Sequence, residues 1–147
     1  MNKLVIFGLL LLPFSVLFTN IPKDNPGKKS AFNFSFQQKK LPGEAIYKKY
    51  CISCHQPDGG GVPNMNPPLI KTSFVLGEKE TLIKILLNGL KGADVDDQSY
   101  TNPMPALGSV LKDQQIADVL TYVRNSFGNK ASAVSVAEVK AVRSKNK

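Results

Sequence analysis

Both cysteines and the only histidine of this 147-residue chain fall within five consecutive positions, Cys51-Ile52-Ser53-Cys54-His55. Two thiols three positions apart at the end of a helix can each add to a vinyl group of haem, and the next residue can present an imidazole to the iron. That spacing is the signature of c-type haem attachment. Three other chemistries use paired thiols. A zinc site usually takes four protein ligands, and no further Cys or His exists to complete one. A thioredoxin-like dithiol needs a strand-then-helix setting in an α/β chain, which is absent here. A structural disulfide would close a very short loop and restrict the unfolded chain little. Covalent attachment of one haem c through Cys51 and Cys54, with His55 on the iron, is the reading that uses all three residues.

A single histidine makes bis-histidine ligation within the chain impossible. The second axial position is then a methionine, a lysine or open. Apart from Met1, the methionines are Met65 and Met104. Met65 lies ten residues after His55, beyond Gly59-Gly60-Gly61-Val62-Pro63, a loop that must first leave the histidine's side of the haem. Met104 sits 49 residues on, inside Asn102-Pro103-Met104-Pro105. Two prolines hold that backbone extended and without internal hydrogen bonds, which suits a rigid loop aiming a thioether at the opposite face. Met104 is therefore the expected ligand, with His55 the other metal ligand and Met65 a loop or haem-edge contact. An exposed loop methionine is the plain alternative for either.

The elements that must position these groups are helices separated by long loops. A helix from Gly43 to Cys54 follows Pro42, with Ala45, Ile46, Tyr47 and Tyr50 as its apolar stripe and Glu44, Lys48 and Lys49 facing away. From Glu78 to Asn88, Leu82, Ile83, Leu86 and Leu87 recur at helical spacing, and Gly89 supplies the stop. From Asp113 to Phe127, Ile116, Leu120, Val123 and Phe127 mark one face before Gly128. A short fourth helix has Ser135 and Glu138 at capping-box spacing and Val134 and Val139 as a hydrophobic staple. Asp94, Asp96 and Asp97 suggest a metal cluster at first sight, but between Gly92 and Tyr100 they fit a solvated hairpin better. No nucleophile and base pair, and no paired carboxylates, mark an enzyme site.

The net charge of +8 is unevenly spread. Residues 1–41 carry +5, residues 42–128 carry −1 and residues 129–147 carry +4. Basic flanks around a near-neutral middle argue against nucleic-acid binding, which calls for basic residues on a folded face with aromatic platforms. They suit solvated tails, or weak attraction to anionic lipid. Lys3 precedes an uncharged run from Leu4 to Phe18, the layout of an export signal. Fifteen helical residues rise only about 22 Å against a hydrocarbon core of about 30 Å. Residues 1–19 therefore read as a signal peptide, or as an N-terminal anchor if uncleaved, and the rest of the chain is expected outside the cytoplasm. Residues 20–41 read as a linker with Pro22, Pro26 and Gly27, interrupted by the alternating Phe32, Phe34 and Phe36. The remainder is one small domain, whose marginal core a covalently held haem would complete.

Several segments together resemble a class I mono-haem cytochrome c domain, of the type found alone or fused to quinoprotein dehydrogenases, copper nitrite reductases and oxidase subunits. They are Gly43-Glu44-Ala45-Ile46-Tyr47 through Cys51-Ile52-Ser53-Cys54-His55, Pro67-Pro68-Leu69, Asn88-Gly89-Leu90-Lys91-Gly92, Tyr100 with Met104-Pro105-Ala106, and Gln115-Ile116-Ala117 to Tyr122-Val123-Arg124-Asn125. Val139 and Val142-Arg143 also fit. Lys112 departs from the pattern, standing where the family often has a capping Ser. The resemblance covers residues 42–143, with 144–147 as a basic tail. It implies an all-α small cytochrome c fold, helices and long loops wrapped around one haem, with the first helix crossing the last long one. It further implies cofactor contacts from Pro67 and Leu69, and a hydrogen bond from the His55 ring to the Pro67 carbonyl; otherwise the two prolines merely shape a turn.

The function so implied is one-electron transfer in the cell envelope or periplasm, by a respiratory carrier that is soluble or attached to the inner membrane through its N-terminus. Its redox partners would be a dehydrogenase or quinol-oxidising complex on one side and a terminal oxidase or reductase on the other. The alternatives are a haem-based gas sensor and a cytochrome subunit of a larger oxidoreductase.

Overall fold

The computed structural model describes residues 41–145. The segment expected to direct export, the expected linker up to Lys40 with its three phenylalanines, and the last two tail residues lie outside the described residues. The elements are α1 (Pro42–Tyr50), α2 (Ile52–His55), α3 (Ser73–Leu76), α4 (Lys79–Asn88), β1 (Ala93–Val95), β2 (Gln98–Tyr100), α5 (Asp113–Asn125) and α6 (Val136–Lys145).

The expected helix from Gly43 to Cys54 is two helices joined at Cys51. Helical hydrogen bonding runs through the joint, from the Cys51 N–H to Tyr47 O at 2.8 Å and from the His55 N–H to Cys51 O at 2.9 Å. Cys51, at φ −117° and ψ −31°, stays in the right-handed helical region but off ideal helical values, and separates the two helices. His55 thus closes α2 instead of following it. The apolar stripe is also shifted. Gly43 and Tyr47 are the buried residues of α1, whereas Ala45 is exposed.

Gly43 is buried because α1 crosses α5 there. A Cβ on residue 43 would stand 2.1 Å from the Asp118 carbonyl oxygen and 2.6 Å from Tyr122 Cβ. Only a residue without a side chain lets the two backbones approach this closely. Beside the crossing, Tyr47 stacks obliquely with Tyr122 and Phe127 at centroid separations of 5.5 and 5.2 Å. Its hydroxyl donates to Gln56 O at 2.6 Å, so the ring is sealed between helices and its polar tip is satisfied.

Leu82, Ile83, Leu86 and Leu87 of α4 and Ile116, Leu120 and Val123 of α5 are buried as their spacing predicts. Glu78 is extended and precedes α4 without a side-chain cap bond instead of joining it, and α5 ends at Asn125 because Ser126 is extended. Phe127 turns back at φ 57° to reach Tyr47. Lys112 offers no acceptor at the start of α5. Gln115 supplies half of the missing cap, its side-chain oxygen accepting from the Lys112 N–H at 2.9 Å.

In α6 the capping box forms in full. The Ser135 N–H donates to Glu138 Oε2 at 2.7 Å and the Glu138 N–H to Ser135 Oγ at 3.2 Å, with Val134 and Val139 both buried. Lys79 ties α6 to α4 through Glu138 at 3.0 Å. Arg143 ties it to the start of α5 through Asp113 and the carbonyls of Gly108 and Leu111. The helix continues to Lys145, past the boundary expected at residue 143.

One short helix is new, and the hairpin expected between Gly92 and Tyr100 is present as regular structure. Four-residue α3 is capped by Thr72 Oγ1, which accepts from the Val75 N–H. The aspartate run forms a two-stranded antiparallel hairpin, β1 with β2, so the mostly helical fold carries a small sheet. Asp96 and Asp97 both have positive φ, as a tight hairpin turn of the I′ kind requires. Asp96 accepts from the Ser73 N–H, and no group of three or more metal-ligating side chains occurs among the described residues.

Two outcomes follow. Gly43→Ala should destabilise the domain by about 3 kcal/mol or more in denaturant titration, since the helices cannot separate without unsealing Tyr47. The Glu138 carboxyl is held down to about 2 by the Ser135 N–H, Lys79 and the Ser135 hydroxyl. A depressed carboxyl stabilises the fold above its unfolded pKa and ceases to as pH falls through the folded value. The stability gap between wild type and Glu138→Gln should therefore narrow between about pH 4.5 and about pH 2, as read by thermal melts across that range.

Candidate haem site

The joint at Cys51 brings the end of α1 and most of α2 to the wall of an apolar cleft. Cys51, Cys54 and His55 line it from one segment and Met104 from another, with Pro67 and Leu69 also in its walls. Its apolar surface comes from residues that also form the core, among them Val75, Leu82 and Leu86, Leu107, and Leu120 with Val123. The core is thus built with an apolar recess at its centre. The two cysteines differ: Cys51 is buried and Cys54 exposed. Burial, and then the neighbouring Cys54, push the Cys51 thiol up to about 11.

His55 is 8% exposed, and its Nδ1 lies 2.9 Å from the Pro67 carbonyl oxygen. A carbonyl can only accept, so Nδ1 carries the proton and Nε2 keeps its lone pair. Burial pushes the ring's pKa below the ordinary histidine value, opposed in part by this hydrogen bond. A neutral ring fixed in that tautomer is what a metal ligand requires, and the carbonyl sets its orientation. The two prolines therefore do more than shape a turn.

The candidate methionines separate clearly. Met104 lines the cleft, whereas Met65 is 47% exposed and outside the lining. Met104 is held by its backbone, its N–H donating to Leu90 O at 2.8 Å and its carbonyl accepting from the Leu90 N–H at 3.0 Å. Gly89 makes this approach possible. At φ 76°, a Cβ there would meet the Met104 carbonyl oxygen at 2.5 Å.

Two buried polar residues brace the cleft and were not recognised from sequence. Asn129 accepts from the Lys71 N–H at 2.7 Å and donates to Leu69 O and Val123 O, both at 2.8 Å. It clamps the loop carrying Pro67 and Leu69 onto the end of α5. Arg124 is 3% exposed and donates to Ser132 O, Val75 O and Gly77 O. The signal for Arg124 was present: it falls four residues after Leu120, on the buried face of α5. Asn129 follows Gly128 in a loop, where nothing in residue type distinguishes a buried clamp from a solvated amide.

Residues 41–127 match the family model described as Cytochrome c. The chain belongs to the cytochrome c family. Its relatives include the cytochrome c subunit of a quinone-dependent alcohol dehydrogenase from Gluconacetobacter polyoxogenes, 38% identical over 105 residues, which make up 70% of this chain and 22% of that protein. The fructose dehydrogenase cytochrome subunit of Gluconobacter japonicus is 33% identical over 114 residues, 74% of this chain and 23% of the relative. Cytochrome c-552 of Thermus thermophilus is 34% identical over 113 residues, 70% of this chain and 85% of the relative. The chain thus spans about a fifth of the dehydrogenase subunits it matches and most of the small cytochrome. Residues 41–127 carry the cytochrome c fold of an electron-transfer protein. Family membership implies a covalently held haem c, and the cleft fits one, with paired thiols and a tautomer-fixed imidazole on an apolar wall.

Asn129→Ala orphans one partly buried N–H and two carbonyls, and should cost about 2–3 kcal/mol in denaturant titration. Asn129→Asp should be costly as well, because a carboxylate cannot donate to Leu69 O and Val123 O.

Proposed function

We propose that this chain is a one-electron carrier of the cell envelope, with haem c held by thioethers from Cys51 and Cys54 and its iron ligated by His55 and Met104. The observation that carries the reading is that Met104, and not Met65, shares the apolar cleft with His55. When bound, the haem supplies a centre that takes up and releases single electrons. Everything else falls to the chain. The His55 Nδ1–H to Pro67 bond strengthens the imidazole as a donor. A thioether at Met104 is a soft ligand that favours the ferrous state and raises the reduction potential. The apolar walls exclude water and favour the less charged, reduced form. With His55 and Met104 both holding the iron, no position would be left for a substrate, which would separate a carrier from a gas sensor.

Export through the segment from Leu4 to Phe18 would deliver the chain to the compartment where such haems are attached, either as a soluble periplasmic protein or held to the inner membrane. Among the described residues no helix is long and apolar enough to cross a membrane. Its donors and acceptors in this reading are a dehydrogenase or quinol-oxidising complex and a terminal oxidase or reductase of a respiratory chain.

A second reading, a cytochrome subunit of a larger dehydrogenase, is favoured by the relatives that are such subunits. Co-purification with a dehydrogenase at moderate salt would support it, and a free monomer would support the lone carrier.

Replacing both Cys51 and Cys54 by Ala should abolish covalent haem, and far-ultraviolet circular dichroism should fall with it, because the core is left with an apolar hole. In the haem-loaded protein Met104→Ala should lose the methionine-to-iron charge-transfer band, lower the potential and gain carbon monoxide binding. Persistence of the band in that variant would sink the ligand assignment; ready carbon monoxide binding by the wild type would favour the sensor.

A further inference from the structure

The loop that orients His55 also holds the segment that carries Met104. Val62 and Asn66 exchange backbone hydrogen bonds, each 2.9 Å, closing residues 62–66 into a tight reversal just before Pro67. Across from it, the Thr101 N–H and Oγ1 both donate to the Asn64 carbonyl at 3.1 Å, and the Asn102 N–H donates to Met65 O at 3.0 Å. The Asn102 side-chain amide adds a bond to Asn66 Oδ1 at 3.3 Å. Asn64 lies in the left-handed region at φ 60°, a conformation asparagine tolerates better than most residues.

The donors of the methionine segment can be accounted for completely. Thr101 and Asn102 donate to the 64–65 turn, Met104 donates to Leu90, and Pro103 and Pro105 have no N–H. Met104 is therefore pinned from both sides, with only Pro103 between the anchors. At the other end of the loop, the Gly61 N–H donates to the His55 carbonyl at 3.1 Å. A Cβ on Gly61 would meet Asn66 O at 2.4 Å and Pro67 O at 2.6 Å.

Resting on the His55 and Met104 ligation proposed above, we infer that residues 61–67 are one positioning element for both axial ligands. They orient the imidazole through the Pro67 carbonyl and latch the Met104 segment through the carbonyls of Asn64 and Met65, which keeps outside ligands from the iron. An outside ligand can bind only the fraction of molecules in which the segment has lifted, so its apparent affinity reports the strength of the latch.

The test uses the haem-loaded full chain and imidazole as the competing ligand. Thr101→Val with Asn102→Ala removes the side-chain bonds and leaves the backbone. It should tighten imidazole binding by about tenfold, the factor that roughly one net hydrogen bond represents, and speed amide hydrogen exchange at Met104. The charge-transfer band should persist without imidazole. Gly61→Ala, if it folds, should loosen both sides and tighten imidazole binding further. An intact wild-type band with unchanged affinity and exchange in the double variant overturns the latch. A wild-type spectrum lacking the band overturns the Met104 ligation itself.

Discussion

The passage of α1 over α5 at Gly43 fixes the position of the two cysteines and the histidine of the haem site. With no side chain at residue 43, the α1 backbone rests on the Asp118 carbonyl, and Tyr47, one turn later, is locked among Tyr122 and Phe127. One further turn brings the chain to Cys51, through which helical hydrogen bonding continues into α2. The cysteines and histidine are thus delivered to the cleft by a rigid lever whose fulcrum is a helix crossing. A separation of the two helices by even one methyl group would move the whole motif away from the apolar walls that α4 and α5 present.

The loops opposite this lever have little regular structure, yet their backbone groups are tied to one another and to the helices. Asn129 joins the Leu69–Lys71 stretch to the end of α5, and Leu90 pairs with Met104. Such loops can hold side chains in place without a large core of their own, because each peptide group ties one segment to another instead of repeating along a helix. Arg124 does similar work behind the cleft. Its guanidinium meets three carbonyls and no carboxylate ion pair among the described residues. Its placement is fixed by geometry and does not depend on the protonation of a partner.

The sequence made some of this legible for clear physical reasons. Periodic apolar residues report burial, so the inward faces of α4 and α5 could be read directly. The cysteine and histidine motif carries its chemistry in its spacing. The Ser135 and Glu138 pair reports a helix start because its hydrogen bonds are local. What stayed hidden depended on distant partners. Gly43 looks like a weak helix former until Asp118 is beside it, and Ala45 looked like core although it faces water. Asn129 gives no local sign that its amide will meet carbonyls on two segments. The short helix at Ser73 is below the length at which periodicity means anything. The aspartate run is legible as a hairpin between Gly92 and Tyr100, but the register of its pairing depends on two consecutive left-handed residues, Asp96 and Asp97, which composition cannot specify.

A carrier and a ligand-binding haem protein can share nearly every feature of such a cleft; the difference lies in how firmly the second axial side chain is kept in place. Under the proposed ligation, thioether sulfur is a weak ligand that must compete with water and with small molecules at much higher concentration. The competition is decided by the backbone that presents it. A methionine on a mobile loop would be displaced, because freeing the loop restores entropy of about 1–2 kcal/mol per residue. Between Thr101 and Pro105 that gain is small. The two prolines are already restricted in the unbound segment, and the other three residues are held by bonds to Asn64, Met65 and Leu90. Little freedom is recovered when the sulfur leaves, so little opposes its return. The same restriction limits rearrangement between oxidation states, and a site whose geometry barely changes exchanges electrons at low cost. Ligand retention and ease of electron transfer are then two consequences of one constraint, the absence of slack in the five residues around Met104.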